Sequence, residues 1–280
     1  MALIDIILNL AGLLLWLNFR ASHLSVNAPA AALSLASTLK RPEQNRANRW
    51  VSIGSLAALL FFRAVFYWDI GSALNWTAIL SLGTITLPFR SDYFGRMLCY
   101  SLVSFLLSLG ILYSWLLLIS AINKRVPDTD FHQRLVRLHL GFCEKLPAVI
   151  KVLLPFTVAL LAWVVSAPIL TRMEIMPPAR SRAHLWQQAL IIATSTFFVW
   201  KYLITGFLLL YAINTYVYLG NRPFWQFVSA TGKNLIVPLK FVPLRIGRFD
   251  LAPWLEGTLV FVAAEYGMAW LIQCYHKLPL

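Results

Sequence analysis

MLCYSLVSFLLSLGILYSWLLLISAI, residues 97–122, is a run of 26 residues without one charged side chain. Wound as helix at 1.5 Å per residue it reaches about 39 Å, enough to cross the roughly 30 Å of bilayer hydrocarbon. Working outward, similar runs occur at 3–19, 50–68, 149–170, 186–219 and 251–273. The whole chain is 59% hydrophobic and 12% charged over 280 residues, with a mean hydropathy of +0.70. A water-soluble domain of this size carries about twice that charged fraction. A membrane β-barrel would show alternating segments of about ten residues, which are missing. The expected fold is all-α: a polytopic helical membrane protein with about six transmembrane helices and short amphipathic interfacial helices. Its expected halves are 1–122 and 123–280, each with three spans.

Two segments need their own reading. SALNWTAILSLGTITLPF, residues 72–89, is long enough to cross but is diluted by Ser, Thr, Asn and Gly and ends near Pro88. It is expected as an interfacial helix or a re-entrant segment in preference to a span. In residues 130–145, Phe131, Leu135, Leu138 and Phe142 recur at steps of four, three and four, which puts them on one helical face. His132, Arg134, Arg137 and His139 fall on other faces, so a basic amphipathic helix lying on the membrane surface is expected. Pro155 predicts a kink near the start of the fourth span, and the fifth is longer than one crossing requires.

The formal net charge is +13, yet the basic residues lie in loops between apolar runs. There they set topology and meet anionic headgroups, so the expected partners are the lipid bilayer and its headgroups, not nucleic acid. Lys and Arg number five, six and five in residues 20–50, 123–151 and 219–250, against two and three in 69–96 and 171–185. With six spans, this asymmetry puts both termini on the non-cytoplasmic side. Asp5 stands where a secretory leader carries basic residues, so the N-terminal run is expected as a retained span.

Charged residues inside spans are functional candidates by default. Arg63, Lys201, Glu256 and Glu265 qualify. Counted from the basic ends of their helices, Arg63, Glu265 and Lys201 lie at about 20–27 Å depth, so these three are expected as one intramembrane charge cluster. A structural ion-pair set that fixes helix rotation is the favoured role, with a proton or ion path as the other. His23, His132, His139, His184 and His276 are expected in loops, on surface helices or at the chain end, which leaves no buried axial pair for haem. Cys99, Cys143 and Cys274 are too scattered for a disulfide framework or zinc site. No phosphate-binding glycine loop, zinc-protease helix or nucleophile elbow is present, so no catalytic residue, metal or cofactor is expected.

Residues 238–250 hold Pro238 and Pro243 with Lys240, Arg245 and Arg248, and lead into Asp-Leu-Ala-Pro. The prolines keep the entering chain extended, and the basic residues are placed for headgroup phosphates. Asp250 is expected to cap the last span by accepting the N–H of Ala252, and Pro253 fits its first turn.

This arrangement resembles the YggT (YlmG-like) family of membrane proteins. Its repeat is a span, a short amphipathic helix, a basic Pro-Leu-Arg turn, a Gly-x-x-Asp-Leu-Ser/Ala-Pro motif and another span. PLRIGRFDLAP, residues 243–253, carries the match with Pro243, Arg245, Gly247, Arg248, Asp250 and Pro253, though Gly247 stands where the family often has a glycine pair. The similarity covers about residues 205–270. FFRAVFYW and LPFRSDYFGRML, in 61–68 and 87–98, form a weaker echo, hence an expected degenerate internal repeat. The resemblance implies a bacterial inner (cytoplasmic) membrane protein that is not an enzyme. It would act as an accessory subunit or assembly factor bound to other membrane protein subunits. The alternative, suggested by the intramembrane charges, is a small-solute or ion transporter or channel.

Overall fold

The computed structural model describes residues 2–26, 46–74, 76–124, 126, 131–217, 222–237, 245–246 and 249–278. The chain is a polytopic helical membrane protein. The helices are α1 (Ala2–Val26), α2 (Arg46–Leu74), α3 (Phe94–Ile122), α4 (Phe131–Leu140), α5 (Ala148–Arg172), α6 (Arg182–Phe198), α7 (Trp200–Tyr216), α8 (Pro223–Leu235) and α9 (Ala252–His276). Among the described residues six segments are long and apolar enough to cross a membrane: Leu3–Arg20, Trp50–Gly71, Phe94–Ile122, Ala148–Arg172, Arg182–Tyr216 and Ala252–His276. Each of the six expected spans thus falls on one of these helical segments, with residues 218–219 of the fifth outside the described residues. Their outward side chains are largely apolar, with Leu10, Phe62, Val165 and Tyr266 all exposed, as lipid-facing surface requires.

Residues 72–89 are expected as an interfacial helix or a re-entrant segment, and the structure corrects the helix. They hold β1 (Thr77–Ser81) paired with β2 (Thr86–Arg90), and each strand alternates exposed and buried side chains. Thr77, Ile79, Ile85 and Thr86 are β-branched, and the apolar period of two overrides the length that suggested helix. Gly83 turns the chain with φ of +83°, a conformation L side chains rarely adopt, and a Cβ there would lie 3.0 Å from Ser195 Oγ. Pro88, exposed in a two-stranded sheet, costs no ladder bond. The echo of the later repeat thus lacks its helix, although a short strand pair precedes both α3 and α9: β3 (Arg245–Ile246) pairs antiparallel with β4 (Phe249–Asp250).

The chain forms two compact units, residues 1–80 with 88–109, and residues 81–87 with 110–280. The division falls inside α3, between Leu109 and Gly110, and not at its end. In the first unit α1 packs on α2, and Leu56, Leu60 and Phe105 form a core with Leu13 and Trp16. In the second, α5 packs on α6, and α9 packs on α6 and α7. Leu117 and Ile119 of α3 meet Val136 and Leu140 of α4 and Phe227 of α8.

The long fifth span is two consecutive helices, interrupted at Val199, whose φ and ψ of −66° and −23° remain helical. Ser195 and Thr196 donate back to the carbonyls of Ile192 and Ala193 at 2.7 and 2.6 Å, bonds that bend helices. The Val199 carbonyl accepts the Trp115 indole N–H at 3.3 Å. The surface helix expected over 130–145 is α4 followed by a 3₁₀ turn, Gly141–Lys145. Phe131, Leu135, Leu138 and Phe142 all point outward from it, while Val136 and Leu140 face the protein.

Candidate functional site

In the first unit three helices each contribute two polar side chains one turn apart: Asp5 and Asn9 from α1, Arg63 and Tyr67 from α2, Tyr100 and Ser104 from α3. The Arg63 guanidinium, with a side chain 0% exposed, donates to Asp5 Oδ1 at 2.6 Å, Asn9 Oδ1 at 2.7 Å and Ser104 Oγ at 3.0 Å. Tyr67 and Tyr100 donate to the two Asp5 oxygens at 2.7 and 2.9 Å, and their rings flank the guanidinium at 5.6 and 5.4 Å. The carboxylate therefore accepts from three donors. A buried charge needs this degree of satisfaction to persist in a low dielectric. The strand pair supports it from one side, with Trp76 edge-on to Tyr67 and Phe89 edge-on to Tyr100.

The structure thus joins two of the three residues expected as one cluster. Lys201 on α7 donates to Glu265 Oε1 on α9 at 2.5 Å, and its ammonium also lies 4.9 Å from the Tyr202 ring centre and 5.2 Å from that of Phe261. Arg63 takes its carboxylate from Asp5 within its own unit. Depth along a helix is common to many residues, whereas which helices are neighbours is not written in any one span. The signal that would have found the first network was present: each of its helices shows a polar i, i+4 pair inside an apolar run, a spacing that puts both on one face. Asp5, Asn9, Tyr67, Tyr100 and Ser104 were not singled out as site residues, because the acid near the N-terminus reads first as evidence against a leader.

A third network, unforeseen in the sequence, fastens the surface elements of the second unit. Ser120 of α3 donates to Glu144 Oε2 at 2.5 Å and accepts Lys151 Nζ at 2.8 Å. Lys151 also lies 3.1 Å from Glu144 Oε2, and Arg137 Nε is 3.5 Å from Oε1. Beside it, Asn123 donates to Thr231 at 2.7 Å and accepts from Asn234 at 3.0 Å, which ties α8 to the end of α3. His132 of α4 stacks on Phe227 of α8 with ring centres 5.6 Å apart.

At the start of α9 the Asp250 carboxylate accepts the Ala252 N–H at 3.1 Å, as the sequence predicts, although Leu251 occupies the cap position itself. Pro253 lies in the first turn. The Tyr216 hydroxyl, at the end of α7, both donates to the Asp250 carbonyl and accepts its N–H at 2.8 Å. Arg245 is described in backbone only, paired with Asp250. Pro238, Lys240, Pro243, Gly247 and Arg248 lie outside the described residues.

One further residue differs from expectation, and one lies where it was expected, inside the last span. His184 is not in a loop: it is buried in the first turn of α6, whose N-cap Ser181 accepts its N–H at 3.1 Å, and its ring lies 3.3 Å from Gln188. Glu256 is buried on α9, and its Oε2 has no hydrogen-bond partner among the described residues. A groove of about 290 Å³ runs between α7 and α9, lined by Thr205, Leu208, Leu209, Trp254, Thr258 and Phe261 among others. Among the described residues no group of three or more His, Cys, Asp or Glu is placed to hold a metal ion, and the three cysteines are free. Comparison with protein-family models, with curated proteins and with solved structures yields no match to this chain.

Proposed function

We propose that this chain is a non-enzymatic organising protein of the membrane, an accessory subunit or assembly factor that docks other membrane proteins on its surface helices. The observation that carries this reading is the platform of α4, the 3₁₀ turn and α8. Val136, Leu140 and Phe227 lock it from beneath, the Ser120–Glu144–Lys151 and Asn123–Thr231 bonds fasten it, and Phe131, Leu135, Leu138, Phe142 and Phe224 are held outward. A protein that uses its surface only to meet lipid has no need to fix a short amphipathic helix by so many internal polar bonds. The closed ion pairs Arg63–Asp5 and Lys201–Glu265 support a scaffold role for the intramembrane charges. The likeness of residues 243–253 to the YggT motif belongs to the same reading, as does a place in the bacterial cytoplasmic membrane with both termini outside.

The test is co-purification after mild detergent extraction from native membranes, with the wild-type chain beside a Leu135→Glu/Leu138→Glu variant. A partner at fixed stoichiometry that is lost from the variant, while its thermal unfolding is unchanged, supports docking through this platform. A partner retained by the variant overturns it. A transport reading is favoured by one observation, the buried Glu256 whose Oε2 has no hydrogen-bond partner among the described residues. It requires proton or cation flux into vesicles holding the purified chain, abolished by Glu256→Gln.

A further inference from the structure

α9 carries an acid and an indole on its lipid-facing side that lipid does not satisfy. Leu255, Leu259, Val262, Tyr266, Ala269 and Gln273 follow one another at steps of four, three, four, three and four, and all six are exposed. A helix–helix seam of 3.5-residue repeat can be laid along this face for the length of the span. Beside it stands Glu265, half-exposed, 13 residues from the start of a 25-residue helix. It therefore lies about 20 Å along a segment of about 37 Å, near the bilayer centre, where an exposed carboxylate is costly. Lys201 occupies only Oε1. Trp270 is 63% exposed, and its indole N–H has no acceptor among the described residues.

We propose that a second copy of this chain packs on α9 in parallel, with the six residues as the seam. Taking the seam as positions a and d of a heptad, Glu265 falls at g and Trp270 at e. Across a parallel two-fold, a g residue of one helix faces the e residue five positions further along the other. Glu265 of each copy then accepts the indole N–H of Trp270 of the other, twice by symmetry. The surface is self-complementary: the acceptor left over on one flank meets the donor left over on the opposite flank. Neutralisation of each Glu265 by its own Lys201 removes the repulsion two bare carboxylates would have. The left-handed crossing implied by a 3.5 repeat is the common one between membrane helices. This contact stands whether or not another protein binds the surface helices.

The test uses the full chain in phosphatidylethanolamine–phosphatidylglycerol vesicles, with Cys99, Cys143 and Cys274 replaced by alanine. Val262→Cys, at the centre of the seam, is expected to oxidise to a disulfide-linked dimer. Val165→Cys, more exposed than Val262 but on α5, is expected to stay single. Dimerisation measured by dilution with added lipid is expected to weaken roughly tenfold in Trp270→Phe, because two hydrogen bonds of about threefold each are lost. Equal cross-linking at both positions, or a monomer at every dilution, overturns the second copy. A dimer indifferent to Trp270→Phe overturns the Glu265–Trp270 bond.

Discussion

Arg63 has five N–H donors and no acceptor, so in a bilayer every group near it must be an acceptor or an aromatic face. Asp5, Asn9, Ser104, Tyr67 and Tyr100 supply those, and the order of importance can be tested. Arg63→Met leaves Asp5 as an uncompensated carboxylate and is expected to destabilise the first unit by about 3–5 kcal/mol, as for other broken buried pairs. Adding Asp5→Asn to it is expected to recover part of that loss, which thermal unfolding in detergent reads directly. Removing one phenol by Tyr100→Phe deletes a single bond to a charged group and is expected to cost about 1.5–3 kcal/mol. For the second unit, Lys201→Met and Glu265→Gln are each expected to lower the unfolding temperature and the double variant to restore much of it. A double variant no better than the worse single one would count against a pair that serves as scaffold. Arg63, Lys201 and Glu265 were legible as outliers in apolar runs. Glu265 was also legible as the acid for Lys201; that Arg63 would meet Asp5 was not, because pairing depends on which helices are neighbours.

Among the elements, the spans were legible because burial in lipid demands long apolar helices and little else satisfies the backbone there. The strand pair β1–β2 was misread because its residues are as apolar as a helix of the same length, and only the β-branched alternation and Gly83 distinguish it. The outward stripe of α4 was predicted residue by residue, whereas its inner face and its fastening to α8 became visible only in the structure. α8 approaches α7 so closely that a Cβ on Gly232 would lie 2.6 Å from Cβ of Tyr211. Gly232→Ala is therefore expected to force the helices apart and to destabilise by about 1–3 kcal/mol, again read by thermal unfolding. Gly206→Ala, on α7 with open space around it, is expected to be neutral or slightly stabilising through helix propensity. The motif before α9 was legible at Asp250 and Pro253, where capping chemistry is local. The Tyr216 clamp on the Asp250 backbone was not, since it joins residues 34 apart.

For the whole molecule, the strand pair decides the count of crossings. Each strand has five residues, and at about 3.3 Å per residue neither reaches much beyond half of the bilayer hydrocarbon. With the six candidate spans of the described residues all crossing, the chain is expected to return to its starting side. Reporter fusions that are active on only one side of the membrane are expected to give the same answer at residue 1 and at residue 280, and the opposite answer at residues 30 and 220. Opposite answers at the two termini would mean that an odd number of segments cross.

The bonds around Asp5 also have a history during synthesis. Arg63 follows Asp5 by 58 residues and Tyr100 follows it by 95. At about 5–20 residues per second, the ribosome delivers the arginine roughly 3–12 s after the acid, and the last phenol a few seconds later. For that interval α1 holds an acid whose partners are not yet made, and an ionised acid is costly in lipid. Release of α1 into lipid is therefore expected to be unfavourable until α2 and α3 bring the arginine and the phenols to Asp5.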